Sequence, residues 1–364
     1  MHRFPASVYA ARLSRAAALC QSKGLGGLVI GTGPEMAYLV GSWTETHERF
    51  TGLVVPAEGS PALVVPRSDV ADFDPDFLGE LGVEVRPWAD GADPYLLVEL
   101  PGEGPVGLGA SLTTAHVLAL QSRCAPRATT LATTQARELF MRKDAHEVAQ
   151  LRAAARAIDA VHEQVPGLLA AGRTEAEVAA DLRALILREH REVDFIIVGS
   201  GPHGANPHHS FSERRLRAGE IVVVDIGGTY GVGYHSDCTR TYVVGGPAEE
   251  PEWYRALRLA QEAACAAVRP GATAAQIDAA AREVISEAGY SPEFFHRTGH
   301  GIGLSLHEEP FIMEGNDLVL EEGMAFSVEP GIYLEGHHGG RIEDIVVVTA
   351  EGCERLNNQP RQLR

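Results

Sequence analysis

The most apolar part of the chain is a pair of β-branched runs on either side of a glycine-rich centre. The first run spans residues 221–226 and the second ends at 242–244, and each carries one aspartate, Asp225 or Asp237. Such runs predict two buried strands joined by a short connection. A carboxylate inside a buried strand loses its hydration, so it needs a proton, a cation or a metal ion. Arg240 could pair with one aspartate, which would give this stretch a purely structural role.

Helical and strand-like segments are mixed in the first third of the chain. Residues 7–23 show helical spacing that ends at Gly24. Apolar runs and one further helical pattern follow at 28–30, 36–40, 53–56, 62–66, 83–85, 106–108 and 113–122. The mixture predicts an N-terminal α/β domain, residues 1–134, of ordinary domain size. The polar loop at 43–50 contains Trp, His and Arg, and we interpret it as a solvated turn.

A second domain, residues 135–364, is predicted from a pattern that occurs twice. A long charged helix is expected from 138 to 165. Helices at 142–165 and 173–190 precede strands at 194–199 and 221–244, and helices at 252–269 and 273–288 precede strands near 294–304, 323–334 and 341–349. Thr174 and Thr273 are N-cap candidates for the second helix of each pair. We therefore expect an α+β domain with two related halves around one site.

Three more residues with metal-ligand chemistry follow beside apolar runs. His300 lies in Gly-His-Gly-Ile-Gly, Glu329 precedes Pro-Gly, and Glu343 lies in Arg-Ile-Glu-Asp. With Asp225 and Asp237 they make four carboxylates and one imidazole, which cannot share an interior without cations. Two divalent ions balance four carboxylates and leave a bridging hydroxide as the remaining anion, with the ions about 3.5–4 Å apart. The oxygen-rich set suits Mn²⁺, while Zn²⁺ and Co²⁺ generally bind more tightly.

Other histidines lie near these motifs. His208 follows a Gly/Pro-rich loop that leaves a strand, where functional groups are common. His296 precedes His300 by four residues, but the glycines at 299, 301 and 303 disfavour a helix because each costs roughly 1 kcal/mol relative to Ala. In an extended segment His296 and His300 share a face, and His307 faces away unless the chain bends.

Composition narrows the class of protein. Of the 364 residues 45% are hydrophobic and 22% charged, as in a globular enzyme, and the formal net charge is −18. Such an acidic balance argues against nucleic acid or an anionic membrane as a partner. The five cysteines are scattered without a Cys-x-x-Cys pair, which is typical of reduced thiols in a cytoplasmic protein. We find no signal-peptide pattern and no apolar run of membrane-spanning length.

The ordered motifs resemble those of the pita-bread metallopeptidases: prolidase (Xaa-Pro dipeptidase), aminopeptidase P and methionine aminopeptidase, with creatinase as a metal-free relative. They are Asp225-Ile-Gly-Gly, Ser-Asp237-Cys-Thr-Arg-Thr, His300-Gly-Ile-Gly, Glu329-Pro-Gly and Arg341-Ile-Glu-Asp. The resemblance covers the chain from about residue 138, and more loosely the preceding creatinase-like domain. It implies a pita-bread catalytic domain.

Roles for individual residues follow from the resemblance. It implies that Asp225 binds one metal, that His300 and Glu329 bind the other, and that Asp237 and Glu343 bridge both. Glu329 would also act as the acid/base. The remaining implied roles are contact with the scissile carbonyl for His208 and His307 and the proline pocket for His296. Tyr333 and Arg341 would support the ligands, and Arg341 would also belong to the substrate-binding residues.

The resemblance implies hydrolysis of Xaa-Pro bonds by a bridging hydroxide on a dinuclear centre of Mn, Zn or Co. We favour an Xaa-Pro dipeptidase, with an Xaa-Pro aminopeptidase as the alternative. A dipeptidase must bind the substrate carboxylate, and Arg49, His47 or an arginine of the catalytic part could do so. Creatinase-type C–N hydrolysis and a non-catalytic binding module are disfavoured because all five ligands are present. The N-terminal domain disfavours methionine aminopeptidase. A homodimer is expected, and whether residues 43–50 reach a neighbouring active site is open.

Overall fold

A computed structural model describes residues 3–247 and 249–364. The first of two compact units ends at Phe140, and the second runs from Met141 to Arg364. The helices are α1 Ala6–Ser22, α2 Pro34–Val40, α3 Pro75–Glu80, α4 Thr114–Cys124, α5 Ala132–Met141, α6 Ala145–His162, α7 Val165–Leu168, α8 Glu175–Ile186, α9 Glu252–Ala267 and α10 Ala274–Glu287. Short 3₁₀ turns lie at Val70–Asp72, Pro94–Leu97, Gly201–Ala205 and Ser291–Glu293.

The strands fall into four sheets. They are β1 Gly27–Gly31, β2 Gly52–Pro56, β3 Ala62–Pro66, β4 Glu84–Trp88, β5 Val106–Leu108, β6 Thr129–Leu131, β7 Glu192–Ser200, β8 Ile221–Tyr230, β9 Tyr234–Val243, β10 Gly299–Gly301, β11 Glu308–Ile312, β12 Ala325–Val328, β13 Gly331–Leu334, β14 His338–Arg341, β15 Asp344–Val348 and β16 Cys353–Arg355. The first unit contains one mixed sheet in the order β4-β3-β2-β1-β5-β6. Its strands β1, β2 and β3 are buried along their whole length, so they show continuous apolar runs in the sequence.

The second unit contains two larger antiparallel sheets and a two-stranded ribbon. One sheet has the order β7-β8-β9, the other β11-β10-β12-β15-β16, and β13 pairs with β14. Each larger sheet has its own apolar core. The core of the first includes Ile158, Leu182 and Val224, and that of the second includes Leu257 and Phe326. The unit is therefore built from two sheet-and-helix halves, as the sequence pattern predicts.

The two halves share their local hydrogen-bonding plan. Thr174 caps α8 and Thr273 caps α10, and each closes a capping box with the residue three positions later. Each threonine also forms an isolated β-bridge, Thr174 with Arg215 and Thr273 with Val319. A capping box satisfies backbone donors at a helix start that otherwise lack partners. The predicted relationship between the halves is thus visible in backbone contacts, although the sequence shows no residue-level repeat.

The prediction of one long helix from 138 to 165 is wrong, because the structure has two helices separated by a break. Helix α5 ends at Met141, and α6 starts at Ala145 with Asp144 as its N-cap. Between them the Lys143 backbone N–H donates to the Gly323 carbonyl at 2.8 Å. A long-range backbone contact and a local capping box therefore interrupt a segment whose composition favours helix throughout.

Two apolar segments also differ from simple strands. Residues 36–40 lie in helix α2, which has Pro34 at its first position. The expected strand near 294–304 is reduced to β10, because residues 291–293 form a 3₁₀ turn and the pairing with β11 is irregular after His300. No helix among the described residues is long and apolar enough to cross a membrane.

Candidate metal centre

Strands β8 and β9 place two carboxylates on one face of their sheet. Asp237 lies opposite Gly227 across the antiparallel pair, and Asp225 precedes Gly227 by two residues. Residues two apart in a strand point to the same face, as do directly opposite residues. Both residues are buried, with only 7% of the surface of Asp225 and 3% of that of Asp237 exposed. The hairpin predicted from the apolar runs is thus the element that brings these aspartates together.

The second half supplies the other candidate ligands from the ends of its strands. Val328 pairs with Asp344 at one end of the β12–β15 ladder, so Glu329 and Glu343 lie immediately beyond the last pair. His300 lies in β10, which pairs with β12. The Glu343 backbone N–H donates to the Thr239 carbonyl of β9 at 3.1 Å. This bond joins the second sheet to the strand that carries Asp237.

The structure brings all five predicted ligands together. Carboxylate oxygens of Asp225, Asp237 and Glu343 lie within 4.8 Å of one another, and so do ligand atoms of His300, Glu329 and Glu343. His300 Nε2 is 3.2 Å from Glu329 Oε1 and 3.7 Å from Asp237 Oδ2. Asp225 falls in one group, His300 and Glu329 in the other, and Glu343 in both. The arrangement has the form expected for two adjacent metal sites with shared carboxylates.

The pKa shifts of the four acids show that ionising them together is unfavourable without bound cations. Burial, reinforced by the neighbouring carboxylates, raises the pKa of Asp237 and of Glu343 well above the usual range. Burial also raises the pKa of Asp225, although Arg341 opposes the shift. Burial acts on Glu329 in the same direction, but hydrogen bonding and charge from His300 prevail and lower its pKa to about 2. Acids of this kind ionise together only when cations offset their repulsion.

The donor set fits divalent cations. Asp225 Oδ1 is buried and has no hydrogen-bond partner among the described residues. An unpaired carboxylate oxygen in an interior is unfavourable unless a cation binds it. Four carboxylates with one imidazole form a mainly hard donor set suited to first-row divalent metals.

Groups around the ligands hold them in place by hydrogen bonds. Arg341 donates to Asp225 Oδ2 at 2.5 Å and to the Tyr333 hydroxyl at 2.8 Å. The Thr239 hydroxyl donates to Glu343 Oε2 at 2.8 Å, and the Ser327 hydroxyl donates to Glu329 Oε1 at 2.8 Å. Such outer hydrogen bonds fix the orientation of ligands. Arg341 thus contacts the candidate ligand Asp225 directly, and Tyr333 is linked to it through Arg341, which is consistent with their predicted roles.

Arg240 does not pair with either aspartate of its hairpin. Its Nη2 contacts Asp344 Oδ1 at 2.6 Å, and its Nη1 donates to the Glu343 backbone carbonyl at 2.5 Å. Asp344 is fully buried and also accepts from Gln261 and Arg361. The predicted pairing of Arg240 with an aspartate of its hairpin is therefore wrong. The arginine instead anchors the chain beside the candidate ligand Glu343.

The three other histidines of the predicted site lie in different settings. The ring of His307 packs 4.1 Å from that of His300, centroid to centroid, so the chain does bend between them. Burial, with the nearby His300 and Arg297, lowers the pKa of His307 to about 4. His296 Nε2 lies 3.0 Å from the Tyr333 hydroxyl, and burial lowers its pKa. His208 is exposed on its loop and is close enough for its charge to act on His307.

Sequence reasoning missed a second cluster, centred on Glu175. This carboxylate is fully buried at the start of α8 and accepts from the Ser200 N–H at 2.9 Å. Its oxygens also contact His203 Nδ1 at 3.1 Å, His209 Nε2 at 2.9 Å and the Ser212 hydroxyl at 2.7 Å. Burial raises the pKa of Glu175, but these hydrogen bonds outweigh it and lower the pKa to about 2. The feature of the sequence that could have indicated this cluster is the close spacing of the histidines at 203, 208 and 209.

Comparison with known proteins places the chain in a family. Residues 149–350 match metallopeptidase family M24, and residues 12–143 match the creatinase/prolidase N-terminal domain. A probable dipeptidase, PepE, of Mycobacterium tuberculosis is 54% identical over 99% of this chain and 97% of its own length. An Xaa-Pro dipeptidase of Lactobacillus helveticus is 34% identical over 90% of this chain and 92% of its own.

Solved structures agree with these matches. The dipeptidase PepE of Mycobacterium ulcerans superposes with a TM-score of 0.95 at 52% identity, covering 99% of this chain and 98% of that one. A prolidase from Thermococcus sibiricus gives a TM-score of 0.86 at 36% identity, with 98% of each chain covered. Escherichia coli aminopeptidase P, at 21% identity and a TM-score of 0.81 over 97% of this chain and 95% of that one, shares the fold. The predicted creatinase-like and pita-bread domains are confirmed, and the chain belongs to metallopeptidase family M24 as a metal-dependent peptidase.

Proposed function

We propose that this protein is an Xaa-Pro dipeptidase that cleaves the bond before proline with two divalent metal ions. The observation that carries the proposal is the convergence of four carboxylates and His300 from both halves of the second unit. Asp225, Asp237 and Glu343 are buried, and Glu329 is partly buried. One relative is named Xaa-Pro dipeptidase and another prolidase, and this chain matches each of them over most of its length. Their names support Xaa-Pro dipeptides as the substrate class.

The residues that would hold the metals are those already described. Asp225 would bind one ion, His300 and Glu329 the other, and Asp237 and Glu343 both. When bound, such ions polarise a carbonyl oxygen and lower the pKa of a water molecule, which makes it a nucleophile near neutral pH. We propose Mn²⁺ for this oxygen-rich set, with Zn²⁺ and Co²⁺ as alternatives.

Glu329 is suited to move protons at this site. Its Oε1 accepts from Ser327 and lies beside His300 Nε2, so the carboxylate is fixed at the edge of the cluster. We propose that it takes a proton from the attacking water and delivers it to the proline nitrogen. Proline leaves as a secondary amine, which must be protonated for the C–N bond to break, and a positioned carboxylate can supply that proton.

His307 and His208 would act on the substrate carbonyl. With its pKa lowered to about 4, His307 is neutral at pH 7 and presents one N–H donor. A neutral imidazole can donate to the oxygen on which negative charge develops in the transition state. Its packing against His300 puts this donor next to the candidate ligands, while His208 would approach from its exposed loop.

An aromatic wall near His296 fits the proline ring. The rings of Phe295 and His296 lie 5.5 Å and 5.4 Å from that of Tyr333. Phe295 is 64% exposed, so its apolar face is available to a ligand. Proline has no backbone N–H and a fixed φ, which makes packing against its ring the natural means of recognition.

The proposal also covers the cellular location and the oligomeric state. All five cysteines are free thiols, and we place the enzyme in the cytoplasm because reduced cysteines are usual there. The homodimer stays a prediction from the family resemblance.

Product analysis tests the function directly. Protein stripped of metal, reconstituted with Mn²⁺ and given Leu-Pro should release leucine and proline, whereas Leu-Pro-Ala should be cleaved far more slowly. Rapid release of leucine from Leu-Pro-Ala with Leu-Pro intact would instead identify an Xaa-Pro aminopeptidase. Hydrolysis of either peptide at an undiminished rate in the metal-stripped protein would contradict a metal-dependent mechanism.

A further inference from the structure

The carboxylate of Glu175 has more hydrogen-bond donors around it than it has places for them. The Ser200 N–H and hydroxyl donate to Oε1 at 2.9 Å and 2.6 Å, and the Ser212 hydroxyl donates to Oε2 at 2.7 Å. An ionised carboxylate offers about four acceptor positions, so these three donors leave roughly one. Two imidazole nitrogens lie at that place: His203 Nδ1 is 3.1 Å from each oxygen, and His209 Nε2 is 2.9 Å from Oε2.

The three side chains converge as metal ligands do. One ligand atom from each of Glu175, His203 and His209 lies within 4.8 Å of the other two, and the two imidazole rings are 4.3 Å apart, centroid to centroid. Bond lengths of about 2.0–2.2 Å and a tetrahedral angle put the donor atoms of a zinc site about 3.3 Å apart. The separations of 2.9 Å and 3.1 Å between the ring nitrogens and the carboxylate are therefore only slightly shorter than a zinc ion requires. In the candidate metal centre, His300 Nε2 and Glu329 Oε1 have a similar spacing of 3.2 Å.

The surroundings of this cluster favour a cation and leave it a route of entry. The Glu175 carboxylate is fully buried, and its pKa of about 2 keeps it ionised at neutral pH. Arg214 lies close enough to feel the Glu175 charge, but it pairs with Glu220 at 2.7 Å, which offsets its own charge. The imidazoles are open to solvent on one side, since the His203 side chain is 36% exposed and that of His209 18%. A metal ion can therefore enter from solvent and keep a water molecule as its fourth ligand.

We propose that Glu175, His203 and His209 form a binding site for a third divalent ion, with Zn²⁺ as the preferred metal. Two imidazoles and one carboxylate make a three-ligand set with an open position, which zinc commonly takes. Imidazole nitrogen suits Zn²⁺, whereas Mn²⁺ favours oxygen ligands. Both rings bind as neutral imidazoles, His203 through Nδ1 and His209 through Nε2, so each carries its proton on the other ring nitrogen. The ion takes the one acceptor place for which the two rings otherwise compete.

The third site fills after the dinuclear centre. It shares no residue with the five candidate ligands, and it offers one negative charge where the centre offers four, so it attracts a cation more weakly. It is therefore occupied only when Zn²⁺ exceeds two equivalents per chain. The bound ion would tie His203 and His209 to the start of helix α8, and zinc in excess would thereby fix the segment that carries His208.

The test counts the Zn²⁺ ions bound per chain. Metal-stripped wild-type protein titrated with Zn²⁺ alone and followed by calorimetry should take up a third equivalent more weakly than the first two. His203→Asn places an amide N–H where Nδ1 lies, so it can keep the hydrogen bond to Glu175 but removes the ligand. His209→Gln does the same for Nε2, and both variants should stop at two equivalents. Zn²⁺ beyond two equivalents should also raise the Tm of the wild type but not that of either variant, because an ion that binds the folded state stabilises it.

A matched control is His337→Asn, which removes an exposed histidine on the turn between β13 and β14 and should keep the third equivalent. Anomalous diffraction at the zinc absorption edge should place the third ion between Glu175, His203 and His209. Saturation of the wild type at two equivalents, or a third equivalent that survives in both His203→Asn and His209→Gln, would overturn the proposal.

The zinc site and the peptidase function are tested separately. The zinc measurements use the metal alone and no peptide, so their outcome does not depend on which substrate the enzyme cleaves. The Mn²⁺ assay on Leu-Pro decides the dipeptidase function whether or not a third ion binds.

Discussion

The guanidinium of Arg341 donates to Oδ2 of Asp225 at 2.5 Å, whereas Oδ1 of the same carboxylate has no hydrogen-bond partner among the described residues. One oxygen is thus held by the protein and the other is left for a cation. The arginine also donates to the Tyr333 hydroxyl, so a single side chain holds both a candidate ligand and a residue of the proposed substrate pocket.

Changing Arg341 to Met should therefore weaken the site without unfolding it. We expect metal affinity or kcat to fall about 10- to 100-fold, the usual effect of removing a group that orients a ligand. Metal titration followed by calorimetry and steady-state kinetics on Leu-Pro measure both quantities. Arg341→Lys serves as the control, and full metal affinity with full kcat in Arg341→Met would show that Asp225 needs no such support.

Metal binding should stabilise the protein increasingly as pH rises. Without metal, Asp237 and Glu343 have folded-state pKa values above their unfolded values. A raised carboxyl pKa stabilises the fold below the unfolded value, and this contribution is lost as pH rises through the folded value. Bound cations remove that penalty, and ligand deprotonation favours their binding. Thermal unfolding of metal-stripped and Mn²⁺-loaded protein between pH 5 and pH 8 should show a growing difference in Tm, and a constant difference would contradict the charge argument.

Asp237→Ala should abolish both metal binding and hydrolysis. Asp237 lies 3.7 Å from His300 Nε2 and within the Asp225–Glu343 group, so its loss removes a carboxylate that both sites would share. Metal content by atomic spectroscopy and activity on Leu-Pro are the measurements. A fully active, metal-free variant would refute the assignment of the site.

His307→Ala should separate metal binding from catalysis. The ring packs against His300 but belongs to none of the five predicted ligand positions. We expect normal metal content with kcat lowered about 10²- to 10⁴-fold, as for a lost proton or oxyanion partner. An unchanged kcat would remove His307 from the mechanism, and loss of metal would indicate that it is a ligand instead.

Glu175→Gln should destabilise the protein in a pH-dependent way. The pKa of Glu175 is about 2 in the folded protein against an ordinary value of 4.5. A depressed pKa stabilises the fold above the unfolded value, here on the order of 3 kcal/mol, and the contribution is lost as pH falls from 4.5 toward 2. Urea unfolding at pH 7 and at pH 3 should show a large difference from wild type that shrinks in acid.

The same variant tests whether Glu175 positions the loop that carries His208. His203 and His209, on either side of His208, both contact the Glu175 carboxylate. We expect kcat to fall while metal content stays normal. Glu177→Gln, on the same helix within the capping box, is the matched control, and an identical kcat in Glu175→Gln and wild type would leave Glu175 a purely structural role.

The sequence was informative wherever the deciding interactions are local. Apolar β-branched runs predicted strands β8 and β9, and Thr174 and Thr273 were recognised as N-caps because a cap depends on a few neighbouring residues. It failed at the helix expected from 138 to 165, since the break depends on a contact with Gly323. The partner of Arg240 was equally hidden, because Asp344 lies 104 positions away in the chain.

By itself the sequence determined which residues are the candidates for metal binding: four acids and one histidine in apolar settings, too many like charges for an interior without cations. Only the tertiary structure decided how they combine. Register between strands places Asp225 beside Asp237, and a bend of the chain brings the ring of His307 onto that of His300. Burial and charge are properties of composition and local pattern, whereas the pairing of a particular cation with a particular acid depends on contacts between distant segments.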